Sequence, residues 1–130
     1  MKLTEAHQAI YDVLKPVLAK KDIKIYDYLD LDESRPHVIM GKMKFQFPDG
    51  LAGKGFSNYE ITQKIEIVTE TEEKHQAIEI MHAIQTALEE PLQVEGAYNM
   101  RQNVIGGEVS EAENALFLAE LDFNMWLQDH

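Results

Sequence analysis

Apolar residues recur at every second position along three stretches of the chain. This period places successive side chains on opposite faces of a strand, so each stretch predicts a strand with one buried and one solvated face. The stretches cover residues 38–47, 59–68 and 117–127. The last of them alternates without a break and is the clearest strand in the sequence.

The first of these strands has a clear division into two sides. Its apolar side is predicted to carry Ile39, Met43, Phe45 and Phe47, with Gly41 between them, and its polar side Lys42, Lys44 and Gln46. Such a division favours a sheet with one face against a core and the other in water.

Two other stretches have the 3.6-residue period of a helix. The first begins near residue 3 and should bend at Pro16, because proline lacks an amide donor and clashes with the preceding turn. The apolar pattern continues past this proline, so the helix is not expected to stop there. The second helix is predicted from about residue 71 to residue 90, and Pro91 ends it.

Two segments give weaker strand signals. Residues 23–29 are short and rich in β-formers. Residues 92–109 suit a strand, but Gly96 indicates a bend and Gly106-Gly107 a turn. The order α-β-β-β-α-β-β therefore predicts a single α+β domain over residues 1–130. Its sheet is expected to be mainly antiparallel, with two helices packed on one face.

Composition and charge restrict the function classes. The chain of 130 residues has no cysteine, which excludes disulfides and thiolate chemistry. It has 23 acidic and 12 basic side chains, a net charge of −11, which disfavours specific binding to DNA phosphates. No apolar run approaches the roughly 18 residues of a membrane span. The first residues lack an apolar signal core, so we expect a cytoplasmic location in the cell that makes the protein, with no membrane contact.

The sequence offers weak candidates for chemistry. His75, Glu79 and His82 share one side of the second helix, but the two histidines are about 10 Å apart along its axis, too far for one ion. This side lies opposite the apolar stripe and is expected to face solvent. His7, His37 and His130 are predicted to be exposed or half-exposed, each without a local partner for acid–base catalysis.

The segment 48–57 is longer than a tight hairpin needs and contains three glycines and a proline. It resembles a phosphate loop only superficially, because a strand rather than a helix follows it. Leu51, Lys54 and Phe56 in this loop are interface candidates that would become ordered on assembly, although a floppy hairpin tip explains the composition equally well. Trp126 is a fourth candidate, since it falls on the polar side of its strand. There it is either covered by another part of the chain or an interface anchor.

Two local patterns stand out in this order of elements. Pro36-His37-Val38 opens the second strand, and Ile65-Glu66-Ile67 leads into an Ala- and Ile-rich helix over residues 77–87. With the element order, these patterns resemble the tail-completion family of long-tailed phages and prophages, also called tail terminators or head–tail joining proteins. The resemblance covers nearly the whole chain and rests on patterns of polarity rather than on reactive residues.

The resemblance implies a structural protein with no catalytic residue, no cofactor and no metal. Its implied partners are further copies of itself in a ring, expected to be a hexamer, the tail tube protein and the head-connector or neck protein. DNA would pass through the ring without specific binding, and the protein would end in the virion tail. Two alternatives stay open: another neck or minor tail component, and a non-catalytic small-molecule-binding or regulatory α+β module. A hydrolase is a more remote third class.

Overall fold

A computed structural model describes residues 1–27, 36–47, 58–112 and 116–130 of the chain. Two helices and five strands occur in these ranges. Their bounds are α1 Leu3–Ala19, β1 Lys24–Tyr26, β2 His37–Gln46, β3 Asn58–Glu70, α2 Lys74–Ala87, β4 Ala97–Ala112 and β5 Leu116–Asp129. A 3₁₀ turn, Thr71–Glu73, leads into α2. The predicted order of elements is confirmed.

The five strands form one sheet in the order β1-β2-β3-β5-β4. β2, β3, β5 and β4 pair antiparallel with their neighbours, and only the short β1 pairs parallel, against the start of β2. The prediction of a mainly antiparallel α+β sheet is therefore confirmed. β3 and β5 occupy the centre, and β4 forms one edge.

Both helices pack on one face of the sheet and bury their apolar stripes there. α1 buries Ala6, Ile10, Leu14 and Leu18, and continues through the exposed Pro16 as predicted. Between the helices and the sheet, alternate residues of β3 and β5 complete the core, as the even alternation of these strands requires. We call the opposite surface of the sheet the helix-free face.

β2 departs from its predicted sidedness because it contains a β-bulge. Met40 pairs with Ile65, but Met43 pairs with Gln63, so β2 has one more residue than β3 in this interval. An extra residue reverses the sidedness of everything beyond it. Ile39 therefore faces away from the helices, not with Met43 as predicted. There it forms a small second cluster, whose other members are Val68, Leu116 and Leu118.

β4 is longer than predicted and runs straight through Gly106-Gly107. The predicted turn at this pair is wrong, whereas the predicted bend at Gly96 is confirmed by its φ of 83°. Gly107 lies so close to β5 that a Cβ there would be 2.3 Å from the carbonyl oxygen of Glu120. The glycine therefore permits close pairing rather than a reversal of the chain.

Two groups of hydrogen bonds tie the sheet to the start of α1 and to the end of α2. The fully buried Tyr59 donates its hydroxyl to Asp129 (2.6 Å) and accepts from the backbone N–H of Lys2 (2.7 Å). Burial, together with the bond to Asp129, raises the pKa of this hydroxyl. At the other group, the Gln102 amide donates to the carbonyl oxygens of Leu88 and Glu90 and accepts from Leu92 N–H, all at 2.7–2.8 Å. This amide clamp ties the end of α2 to β4.

Candidate assembly surfaces

The outer edge of β4, which we call the β4 rim, is the longest uncovered strand edge in the described part of the chain. Only β5 pairs with this 16-residue strand there. The strand exposes four large apolar side chains, namely Tyr98 (58%), Met100 (58%), Ile105 (56%) and Val109 (37%). An edge of this length with exposed apolar residues is a template for pairing with another chain.

Two β-bulges in β4 explain two of these exposed residues. Asn99 pairs with Leu127 and Arg101 with Trp126, which leaves Met100 as an inserted residue. Ile105 is inserted in the same way, between Val104 and Gly106. An inserted residue leaves the regular ladder and bends the strand locally, which leaves both apolar side chains exposed. Ile105 borders a depression on the helix-free face together with Lys44 and Lys64.

At the opposite edge of the sheet, β2 is only partly covered. β1 pairs with His37, Val38 and Ile39, and no described residue pairs with the outer side of positions 40–46. We call this segment the β2 rim. Lys42 and Lys44 are exposed along it and make no ion pair with any described residue, and Phe45 is 48% exposed.

Three glutamates lie side by side on the helix-free face. Glu66 of β3 pairs with Glu120 of β5, which pairs with Glu108 of β4. Lys64 is beside this carboxylate row, with its Nζ 3.1 Å from Glu120 and 3.7 Å from Asp122. Burial and the charge of Glu120 raise the pKa of Glu66, whereas Lys64 lowers it. Like charges directly opposite each other destabilise a sheet, so the row has a cost in the isolated subunit.

Trp126 lies on the helix-free face, as its position in the alternation predicted, and is half-buried. The Arg101 guanidinium lies over its ring at 5.5 Å from the centroid, and the same group is 3.4 Å from a Glu60 carboxylate oxygen. A cation over an indole ring is a favourable contact. The tryptophan is therefore partly covered within its own chain, and its role as an interface anchor stays a prediction.

The histidines have diverse surroundings. On α2, His75 is exposed and 3.2 Å from Glu79, and His82 is exposed too, so the predicted solvent-facing side is confirmed. Among the described residues, no group of three or more His, Asp or Glu side chains could hold a metal ion. The prediction for His37 is wrong. It is fully buried because it opens β2 under the ring of Tyr26, 5.7 Å away and edge-on.

A surface depression of about 930 Å³ lies between the segment after α2 and the start of β4. It is bordered by residues 91–100, Gln128 and His130. The rings of Tyr98 and His130, which both line it, are in contact at an angle of 52°, with centroids 4.2 Å apart. The depression thus lies next to the β4 rim.

No helix among the described residues is both long and apolar enough to cross a membrane.

Comparison with known proteins identifies the family of the chain. The family model described as Tail completion protein gp17 matches residues 8–128. The chain belongs to this family. A chain from a structure titled "Virion of native gene transfer agent (GTA) particle" has the same fold, with a TM-score of 0.74 and 14% identity over 94% of this chain and 93% of that chain. No curated protein matches the sequence significantly.

Membership in the tail completion family makes the protein a structural component of phage tails and confirms the resemblance found in the sequence. It favours a phage assembly part over a small-molecule-binding module. Three of the four candidate interface residues, Leu51, Lys54 and Phe56, lie outside the described residues, so their predicted role stays a prediction.

Sequence reasoning predicted a strand over residues 92–109 of the tail completion protein but missed that this strand forms an exposed edge of the sheet, the β4 rim. One signal could have found it: the apolar residues Tyr98, Met100, Ile105 and Val109 recur in this segment without a strict period of two. That irregularity is what two bulges produce, because each shifts the alternation by one residue.

Proposed function

We propose that this tail completion protein caps the tail tube as a ring and joins it to the head connector. The ring is built from copies of this chain, with a hexamer as the expected form. The protein acts first in the cytoplasm of the bacterial host and then as part of the virion tail. It catalyses no reaction in this role.

One observation supports the ring most directly. Each subunit has two sheet edges that lack a partner among the described residues, the β4 rim and the β2 rim, on opposite sides of the same sheet. A surface and its complement on opposite sides of one subunit give head-to-tail contacts, and these close into a ring when the rotation between copies permits it.

The net charge of −11 supports a lumen that lets DNA slide. Carboxylates around a conduit repel the phosphates of a passing duplex and prevent it from adhering to the wall. The carboxylate row on the helix-free face supplies such charges, and no helix covers it. A lumen lined mostly by lysine and arginine would contradict this part of the proposal.

We assign the contacts with the tail tube and the head connector to the candidate interface residues. Leu51 and Phe56 would bury against a neighbour when the loop 48–57 docks, and Lys54 would accompany them. Trp126 offers a large amphipathic ring, half-exposed beside Arg101, of the kind that dominates interface energies.

Light scattering and negative-stain electron microscopy of the purified protein test the ring. Expected are particles with a central hole, in a proportion that rises with concentration. Complementation of a phage that lacks its tail completion protein then tests the joining role. Deletion of residues 52–55 should leave thermal unfolding unchanged but block tail capping.

Two outcomes would redirect the proposal. If the deletion variant still formed infectious particles, the loop 48–57 would not be part of the contact that joins tail and head. Rings that bind only the connector, and never the tube, would favour another neck component.

A further inference from the structure

We infer that the loop 48–57 of one copy docks in the depression beside the β4 rim of the next copy. This inference rests on the proposed ring and names one contact that holds it together. The occupant is a segment of a second copy of this chain. The site consists of described residues between the end of α2 and the start of β4. It requires no strand pairing between the two rims.

The depression offers apolar surface to a partner. Tyr98 and Met100 border it and are each 58% exposed, while Leu92, Val94 and Ala97 line it from the buried side. Exposed apolar surface beside a depression is typical of a contact with another molecule. The volume of about 930 Å³ is within the range of pockets that enclose a drug-sized ligand, roughly 300–1,000 Å³, and therefore suits two large side chains.

The loop 48–57 contains the residue types that such a lining binds. Its two large apolar residues are Leu51 and Phe56, and three glycines separate them from each other and from the strands. Lys54 lies between these two residues in the sequence, and the exposed Glu95 borders the depression. Opposite charges on the two partners favour one orientation of the loop over others.

The loop and the depression lie at the same end of the sheet. The loop ends at Asn58, which pairs with Gln128, and Gln128 pairs with Tyr98 at the border of the depression. The loop leaves the sheet on the side of β2, whereas the depression lies at β4, so a head-to-tail contact brings the loop of one copy to the depression of the next. Rotation between copies about an axis along the strands keeps the two at one level. Five residues out and five back extend the loop by roughly 16 Å.

Within one copy, other parts of the chain lie between the loop and the depression. His130 donates its backbone N–H to the carbonyl oxygen of Gly96, and its ring contacts Tyr98. Lys2 donates its backbone N–H to Tyr59, and its side chain lies so close to Gly96 that an added Cβ there would be 2.7 Å from Lys2 Cε. These contacts obstruct the approach from β3. In the described sheet no strand lies beyond β4, so a neighbouring copy can approach from the outer side.

Site-specific crosslinking tests the inference, because the natural chain has no cysteine. Ala52→Cys places a thiol in the loop, and Gln93→Cys places one at an exposed position of the depression. The two single variants are co-expressed with different tags, purified together and treated with a short bismaleimide. The control combines Ala52→Cys with Lys20→Cys, an exposed position at the far end of α1, about 25 Å along the helix.

The expected result is a crosslinked dimer that carries both tags, absent from either variant alone and from the control. A dimer from Ala52→Cys alone would overturn the inference, since two loops would then meet. Crosslinking within monomers of the double variant Ala52→Cys/Gln93→Cys would also overturn it, because the loop would fill the depression of its own copy. Rings without the mixed dimer would overturn it too, but would leave the proposed function intact. A protein that stays monomeric at every concentration would refute ring and contact together.

Met100 and Ile105 provide a matched pair for a second test. Both are inserted residues of β4 with similar exposure, 58% and 56%, but Met100 borders this depression and Ile105 does not. Met100→Ser should raise the concentration needed for half-assembly about tenfold, because an apolar contact with the loop is lost, and Leu51→Ser should do the same. Ile105→Ser should leave assembly unchanged. Equal effects of the two β4 variants would contradict docking in the depression.

Discussion

A methyl group added at Gly107 should disrupt the pairing of β4 with β5, whereas the same change at Gly106 should not. The Cβ of Gly107→Ala would lie 2.3 Å from the carbonyl oxygen of Glu120 and 3.4 Å from a Leu121 methyl group. At Gly106 no atom lies within 4 Å of the added carbon. The two adjacent glycines therefore form a matched pair of test and control.

The size of the effect follows from the distance. The strands must separate by about 1 Å to accommodate the methyl group, and overpacking of this kind costs about 1–3 kcal/mol. Loss of one or two ladder hydrogen bonds adds about 1 kcal/mol each. We therefore expect Gly107→Ala to lower the free energy of unfolding by about 3 kcal/mol, a fall in Tm of about 10 °C. Gly106→Ala should be neutral or stabilise by up to about 1 kcal/mol, because alanine restricts the unfolded chain.

Thermal and urea unfolding followed by circular dichroism measure both variants. One protein concentration must be used throughout, because assembly raises Tm by mass action. Equal Tm values for the two variants would refute the close approach of β4 to β5 at this position. They would also revive the interpretation of the glycine pair as a turn.

Three further changes test the polar groups. Gln102→Leu should cost about 1–3 kcal/mol, since it leaves the Leu88 carbonyl oxygen and the Leu92 amide without partners, while the exposed Glu90 carbonyl can bond to water. The exposed Asn103→Ala should cost under about 0.5 kcal/mol in the same urea titration. Burial raises the pKa of Asp129, but the Tyr59 hydroxyl and the N-terminal amine more than offset it and hold the pKa below its usual value. Asp129 therefore stabilises the fold above about pH 4, an effect lost as pH falls through the lowered pKa, so Asp129→Asn should reduce Tm at pH 7 but hardly at pH 2. Burial and a neighbouring glutamate raise the pKa of Glu66, so its charge is unfavourable once pH rises through that value. Glu66→Gln should then stabilise by about 0.5 kcal/mol at pH 7 and give no gain at pH 3, and a gain independent of pH would contradict this reasoning.

Even alternation was enough to predict the central strands. Every residue of β3 from Asn58 to Glu70 pairs with a residue of β5 without a shift in register. The alternation of apolar and polar residues in the sequence therefore predicts the correct buried face. The same rule failed for Ile39, because a bulge between Met40 and Met43 reverses the parity. Whether a strand contains a bulge depends on its partner as well as on its own residues.

The candidate surfaces depend on topology, and this limited what the sequence could predict. Tyr98 and Ile105 are exposed because β4 is an edge strand, and no local pattern says which strand will be last in a sheet. Similarly, His37 has an ordinary polar sequence context, but the parallel addition of β1 buries it. Trp126 was placed on the correct face because its strand has no bulge.

The two insertions at Met100 and Ile105 have a consequence for how this subunit behaves before it reaches a tail. Fibril growth needs long, flat, uninterrupted edges that stack in register. An edge bent twice along its length hinders that stacking but still permits a short docking segment between and beyond the bends. The bulges that made the alternation of this strand irregular in the sequence thus also hinder uncontrolled polymerisation.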